Sequence, residues 1–194
     1  MSKLIDTFGR VHRDIRVSLT DRCNLRCTYC MPHDFAAWMP TEDLLTTDEL
    51  MTILEVGIEA GIDEVRLTGG EPLLRKHIEK LIEMLASLKT LSGQPLDLTL
   101  TTNGSLLRKK AQALKDAGLT RMTISLDGLD DATFQQMNDV GFPVGDVLDG
   151  IEAAREVGFK NIKVNMVVKK GTNDHEIIPM AKYFKGSDVI LRFI

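Results

Sequence analysis

Three segments of the 194-residue chain share one phrase: EAGIDEVRLT at 59–68, DAGLTRMTIS at 116–125 and EVGFKNIKVN at 156–165. In each, a glycine ends an amphipathic stretch, and a short polar connection leads into alternating apolar and polar residues. That order reads as helix, left-handed cap and strand. It predicts helices ahead of the phrases at about 47–60, 105–117 and 145–157, the first opening on the capping-box sequence Thr46-Thr47-Asp48-Glu49. Further strands at 14–20, 96–102 and 189–194, with helical stretches at about 75–90 and 174–185, bring the total to about six strands. Strands alternating with helices through short joins predict a parallel α/β fold with right-handed crossovers. No Pro/Ser-rich or Gly/Ser-rich tract divides residues 1–194, so one domain is expected.

Parity within the strands narrows the architecture. Alternate side chains of a strand face opposite sides, so Ile15, Val17 and Leu19 oppose Arg16, Ser18 and Thr20. Val65 and Leu67 likewise oppose Arg66 and Thr68; Leu98 and Leu100 oppose Thr99 and Thr101; Met122, Ile124 and Leu126 oppose Thr123, Ser125 and Asp127. Ile162, Val164 and Met166 oppose Lys163 and Asn165, and Leu191 and Phe193 oppose Arg192. Parallel sheets covered on both faces normally read as continuous apolar runs. A polar face on every strand instead predicts a curled sheet or barrel with helices outside and a wet, ligand-filled interior. The interior then carries Arg16, Arg66, Lys163 and Arg192 against Asp97 and Asp127. Cations stripped of water need carboxylate partners or an anionic ligand, and the imbalance favours the ligand.

The whole chain excludes some partners. A net charge of −4 gives no general attraction for nucleic acid or anionic membrane. No apolar run approaches the roughly 20 residues needed to span a bilayer, and the start, MSKLIDTFGR, has no apolar secretory core.

All three cysteines lie within CNLRCTYC, residues 23–30, directly after the first strand. Clustered, odd-numbered thiols argue against a disulfide framework and fit a reducing cytoplasm, where such groups bind metal or do redox chemistry. The carboxyl ends of strands in β/α folds are also where chemistry is placed. Two centres compete at C-x3-C-x2-C spacing. A structural zinc ion needs a fourth ligand, from His33 or His12; an iron–sulfur cluster held by three thiolates leaves one iron open to a substrate or cosubstrate.

The loop resembles the C-x3-C-x2-C signature of the radical S-adenosylmethionine (SAM) superfamily, including an aromatic residue, Tyr29, before the third cysteine. That resemblance implies a [4Fe-4S] cluster on Cys23, Cys27 and Cys30 whose open iron is chelated by the amino and carboxylate groups of SAM. One electron from the reduced cluster then splits SAM into methionine and a 5′-deoxyadenosyl radical. Tyr29 would lie near the adenine, Gly69, Gly70 and Glu71 of LTGGEPL would receive the amino group of SAM, and Ser125 would contact its ribose or carboxylate. The GGE glycines have a mechanical reading as well, since a backbone without Cβ lets a ligand approach closely.

Further segments, DTFGR, DIRVSLTDRCNLRCTYCMP, VRLTGGEPLLR, LTTNG, ISLDGLD, KVNMVVKKGTND and LRFI, are similar to those of the GTP 3′,8-cyclase family, which begins molybdenum cofactor biosynthesis. The resemblance implies a partial (β/α)6 TIM-like barrel, abstraction of the ribose C3′ hydrogen of GTP, and joining of C3′ to guanine C8. It implies GTP contacts at Arg16, Arg66, Thr101 and Lys163, all within the inward set. It also implies a cytoplasmic enzyme, an electron donor such as flavodoxin or ferredoxin, hand-over to the next enzyme of molybdopterin synthesis, and a possible homodimer. Family members continue past the sixth strand into a segment whose three cysteines hold a second [4Fe-4S] cluster. With three cysteines in all, this chain is expected to be the core without that segment. The alternatives are a fragment that binds SAM or GTP without turnover, and another radical SAM enzyme.

Several residues have plainer expectations. His77 and His175 read as surface residues near helix starts, and Met166 and Met180 as core. Trp38 reads as packing over the cofactor or shielding it. Asp127 and Asp130 are expected to pair with basic neighbours or cap a helix.

Overall fold

A computed structural model of the protein describes residues 4–31 and 37–194. The expected alternation is present: β1 (Asp14–Ser18), α1 (Thr47–Glu59), β2 (Glu64–Thr68), α2 (Ile78–Ser87), β3 (Asp97–Thr102), α3 (Leu107–Asp116) and β4 (Arg121–Ser125). Then come α4 (Asp131–Asn138), α5 (Val144–Glu156), β5 (Lys163–Met166), α6 (Ile177–Phe184) and β6 (Ile190–Phe193). All neighbouring strands pair in parallel, in the order β1-β2-β3-β4-β5-β6. The sheet does not close, so the fold is a partial barrel with β1 and β6 at its edges.

The repeated phrase is one structural device used three times. Gly61, Gly118 and Gly158 take φ of +102°, +99° and +87°, and the next residue's N–H reaches back five residues, from Ile62 to Gly57, Leu119 to Leu114 and Phe159 to Ala154. These are Schellman closures, which satisfy carbonyls that the helix end leaves bare. The apolar residue after each glycine is the part of the phrase that sequence reading passed over. Ile62, Leu119 and Phe159 are all buried, so the cap that ends each helix also anchors it to the core at the start of the next strand.

Strand parity decides which face meets the helices. Val65, Leu67, Leu98, Leu100, Met122, Ile124, Val164 and Met166 are buried in one apolar cluster with Leu81, Leu85, Leu107, Leu114, Val147 and Met180 of the helices. Met166 and Met180 thus sit in the core as expected. At β6 the pattern weakens: Leu191 is half-buried and Phe193 is exposed, because β6 pairs on one side alone, with β5.

Helix α4 was not foreseen. Its eight residues are too few for a clear apolar period, but its cap was legible: Asp130 Oδ2 accepts from Thr133 N at 2.8 Å. At α1 the capping box forms in full, Glu49 N donating to Thr46 Oγ1 at 3.2 Å and Thr46 N to Glu49 Oε2 at 2.8 Å. Replacing Thr46 with alanine should therefore cost about 0.5–2 kcal/mol, read as a lower denaturation midpoint with unchanged slope.

Candidate functional site

The cysteine loop leaves the carboxyl end of β1 and is pinned from three sides. Leu25 is buried, while Arg26 N and Thr28 N donate to the carbonyls of Asn138 and Met137 at the end of α4, at 2.9 and 3.0 Å. Within the loop, Cys30 N and Met31 N donate to the Cys27 carbonyl, a tight turn that carries two of the three thiols. Tyr29 O–H donates to Asp127 Oδ2 at 2.8 Å; the same carboxylate accepts Val167 N at 2.9 Å, so the loop is tied to the ends of β4 and β5. Asp127 is therefore held by a tyrosine and a backbone amide, where pairing with a basic neighbour or capping of a helix was expected.

The third attachment comes from LTGGEPL. Gly70 N donates to Thr20 O at 2.7 Å and Glu71 N to Arg22 O at 2.8 Å, laying the two loops backbone to backbone. A Cβ on Gly69 would fall inside contact distance of Thr20 O, and one on Gly70 inside contact distance of both Asp21 O and Arg22 O. Gly69 also has φ of +147°. The approach that excludes side chains here is that of the cysteine loop itself. The glycines therefore have a role within the fold, a clamp between two protein loops, beside the expected one toward a ligand.

The carboxylate of Glu71 is likewise turned into the protein. It is fully buried and accepts from Leu73 N at 3.0 Å, Thr102 Oγ1 at 2.7 Å and Asn103 N at 2.7 Å. Burial raises its pKa, and those three donors oppose the rise. The side chain is thus engaged within the fold.

All three thiols are raised in pKa, Cys27 to about 12, with burial as the largest cause in each. Neighbouring charge adds to this: Cys30, Asp127 and Cys23 act on Cys27, and Glu71 and Cys30 on Cys23. Three thiolates placed this close repel one another, and a cationic centre removes that penalty.

Inside the barrel, a cavity of about 430 Å³ is lined by Arg16, Arg66, Thr101, Thr123, Asn165 and Arg192, among others. Three of the four residues expected to contact GTP, Arg16, Arg66 and Thr101, therefore share one polar chamber. Lys163 is half-buried nearby. Its pKa is lowered by burial and then by the positive charges of Arg121, Arg192 and Arg66, with Glu64 opposing.

The inward charge count needs correction. Glu64 and Arg121 start their strands on the same inward parity and were overlooked. Glu64 bridges Arg66 Nη2 at 2.6 Å and Arg121 Nη2 at 3.1 Å, and Arg121 also pairs with Asp97. Arg66 is thus already paired, and the inward set of the sequence analysis gains one further carboxylate and one further cation. Asp97 and Asp127 are already engaged, and Arg192 Nε donates to Asn165 Oδ1 at 2.8 Å instead of to a carboxylate. Among the described residues Arg16, Lys163 and Arg192 make no ion pair, and this keeps the interior a place for an anion.

The sequence pattern of the radical SAM superfamily matches residues 17–184. The chain belongs to the radical SAM superfamily. Similar curated proteins include the GTP 3′,8-cyclase of Staphylococcus saprophyticus, 46% identical over 198 residues, and that of Listeria welshimeri, 47% identical over 194 residues. Each match covers 100% of this chain and 57% of the relative, so the chain spans a little over half the length of those proteins. Among solved structures, SuiB of Streptococcus suis bound to S-adenosylmethionine superposes with a TM-score of 0.69 at 21% identity, over 89% of this chain and 37% of that one. That likeness shows a common fold.

Membership of the radical SAM superfamily implies a [4Fe-4S] cluster and SAM. The residues present fit such a cluster by donor chemistry: three thiols on one pinned loop, with Leu25 N at 3.4 Å and Asn103 Nδ2 at 3.8 Å both donating to Cys23 Sγ. Thr28 Oγ1, between the second and third cysteines, is buried without a partner. Among the described residues no three His, Cys, Asp or Glu side chains are grouped to hold a single ion. His12 lies before the amino end of β1, at the other end of the strand from the cysteines, and so cannot complete a zinc set with them. His33 falls outside the described residues.

Ser125 ends β4 beside Asn165 of β5, between the cysteine loop's Asp127 anchor and the cavity. Trp38 is half-buried, and His77 and His175 are exposed, as expected. Among the described residues no helix is long and apolar enough to cross a membrane.

Proposed function

We propose that this radical SAM protein is a core of the GTP 3′,8-cyclase type, with Cys23, Cys27 and Cys30 holding a [4Fe-4S] cluster. When bound, the reduced cluster and SAM would supply a 5′-deoxyadenosyl radical, the chemistry needed to remove the C3′ hydrogen of GTP held by this chain's residues. The observation that carries the reading is the placement of cations on the inner face of the same sheet whose carboxyl edge bears the cysteine loop. A nucleoside triphosphate matches that chamber in charge, and arginine suits phosphate oxygens through paired, charge-assisted hydrogen bonds. The 46% identity to the cyclases supports the choice of substrate.

In this reading Arg16, Arg66 and Lys163 bind phosphate and Thr101 orients the nucleotide from β3. Tyr29, Ser125 and the Gly69-Gly70-Glu71 segment receive SAM. The family's electron donor, such as flavodoxin or ferredoxin, and the next enzyme of molybdopterin synthesis would be partners, in the cytoplasm.

Two experiments test it. Anaerobic reconstitution followed by dithionite and SAM should yield 5′-deoxyadenosine; an intact cluster that yields none counts against the reading. By titration, Arg66→Ala and Lys163→Ala should each weaken GTP binding by about 1.5–3 kcal/mol, roughly ten- to a hundredfold in Kd. Unchanged affinity in both would remove the chamber as the nucleotide site.

A further inference from the structure

Asn103, directly after β3, is where three separate parts of the chain meet. Its backbone N–H donates to Glu71 Oε2 at 2.7 Å. Its Oδ1 accepts from Ser105 N at 3.0 Å and Ser105 Oγ at 2.6 Å. Its Nδ2 then donates to Asn24 Oδ1 at 3.0 Å and Cys23 Sγ at 3.8 Å. A side-chain amide can be placed either way round, but a backbone N–H can only donate, so the bond from Ser105 N fixes the oxygen on that side. The NH2 group must face the sulfur. Asn24, beside Cys23, is held in turn by donating to Ser105 Oγ at 2.9 Å. The amide is therefore aimed from its backbone, its oxygen and its neighbour.

Cys23 is set apart by receiving two N–H donors, from Leu25 and Asn103. An N–H directed at a ligating sulfur withdraws negative charge from it and stabilises the form of the centre that carries the extra electron. The distance of 3.8 Å is long for a neutral thiol, and a thiolate, being the stronger acceptor, would draw the donor in.

The geometry points to Asn103 as a positioning residue that raises the reduction potential of the cluster through Cys23 Sγ. This rests on the reading above that Cys23 ligates a [4Fe-4S] cluster. The inference concerns how readily that cluster takes one electron, and binding of SAM or GTP does not enter it.

The test is an anaerobic reductive titration with dithionite, followed by electron paramagnetic resonance, on the reconstituted chain and on N103A, N103D and S105A. N103D keeps the shape and the acceptor facing Ser105 but puts a carboxylate oxygen where the donor was. Its midpoint should fall far enough to change the reduced-to-oxidised ratio at a given potential by at least about tenfold, or 59 mV for one electron. N103A should fall in the same direction by less. S105A leaves Asn103 in place but removes a hydroxyl that aims it, and should fall least. If the Asn103 variants fail to assemble a cluster, S105A alone decides. Midpoints unchanged in every variant that carries the cluster overturn the inference and leave the proposed function standing. A parent chain that assembles no cluster overturns both.

Discussion

Alanine at Cys27 should abolish cluster assembly while leaving the fold almost untouched. The first half follows from the donor set, because the chain has three cysteines and all lie in one loop. Removing the middle one leaves two thiolates, too few to hold a cubane in place. The second half follows from the environment. Cys27 is partly buried, and its loop is held by backbone bonds, from Arg26 N and Thr28 N to α4 and from Cys30 N to the Cys27 carbonyl, which alanine keeps. The expected readout is loss of iron and of charge-transfer absorbance after anaerobic reconstitution, with a denaturation midpoint close to the parent's. Retention of a full iron complement would show that the thiols are not the ligands.

Alanine at Gly70 should damage both fold and site. Its Cβ would press on Asp21 O and Arg22 O, which are backbone atoms and cannot swing aside. Overpacking of this kind costs about 1–3 kcal/mol. Relief by separating the loops would weaken the bonds from Gly70 N to Thr20 O and from Glu71 N to Arg22 O, at about 0.5–1.5 kcal/mol each. Either route implies a loss of about 1–3 kcal/mol in denaturant unfolding, accompanied by poor iron retention, because Cys23 follows Arg22 directly. Gly69→Ala adds a non-glycine residue at φ of +147° and should be at least as harmful. A Gly70→Ala protein within about 0.5 kcal/mol of the parent, the range of an ordinary surface substitution, would show that the two loops are not clamped.

Much of this molecule is legible before any coordinates. The helix-glycine-strand phrase locates three helix ends and the strands that follow, because a left-handed cap and an alternating strand depend on residues next to one another. Parity places Arg16, Arg66, Thr101 and Arg192 in one chamber, since the pleat leaves a strand residue only two directions. The cysteine loop is legible because its chemistry is written in eight consecutive residues.

What escaped depends on distance along the chain. Asn103 meets Cys23 across 80 positions and Tyr29 meets Asp127 across 98, and no local pattern announces either. Glu64 and Arg121 obey the parity rule but stand outside the inward set read from the sequence, and so the carboxylate that pairs with Arg66 went uncounted. Glu71 reads as a ligand because it stands in a ligand-binding motif. Its carboxylate is held within the fold because Thr102, at the end of β3, and Asn103, directly after it, bring donors to it.

In the proposed function, a cluster loop and a cationic chamber on one sheet act together on a nucleoside triphosphate. The most direct measurement uses GTP deuterated at the ribose C3′, incubated anaerobically with the reconstituted protein, dithionite and SAM, with the 5′-deoxyadenosine analysed by mass spectrometry. Deuterium is expected in that product. Formation of 5′-deoxyadenosine free of deuterium, at a rate indifferent to GTP, would contradict the proposed function.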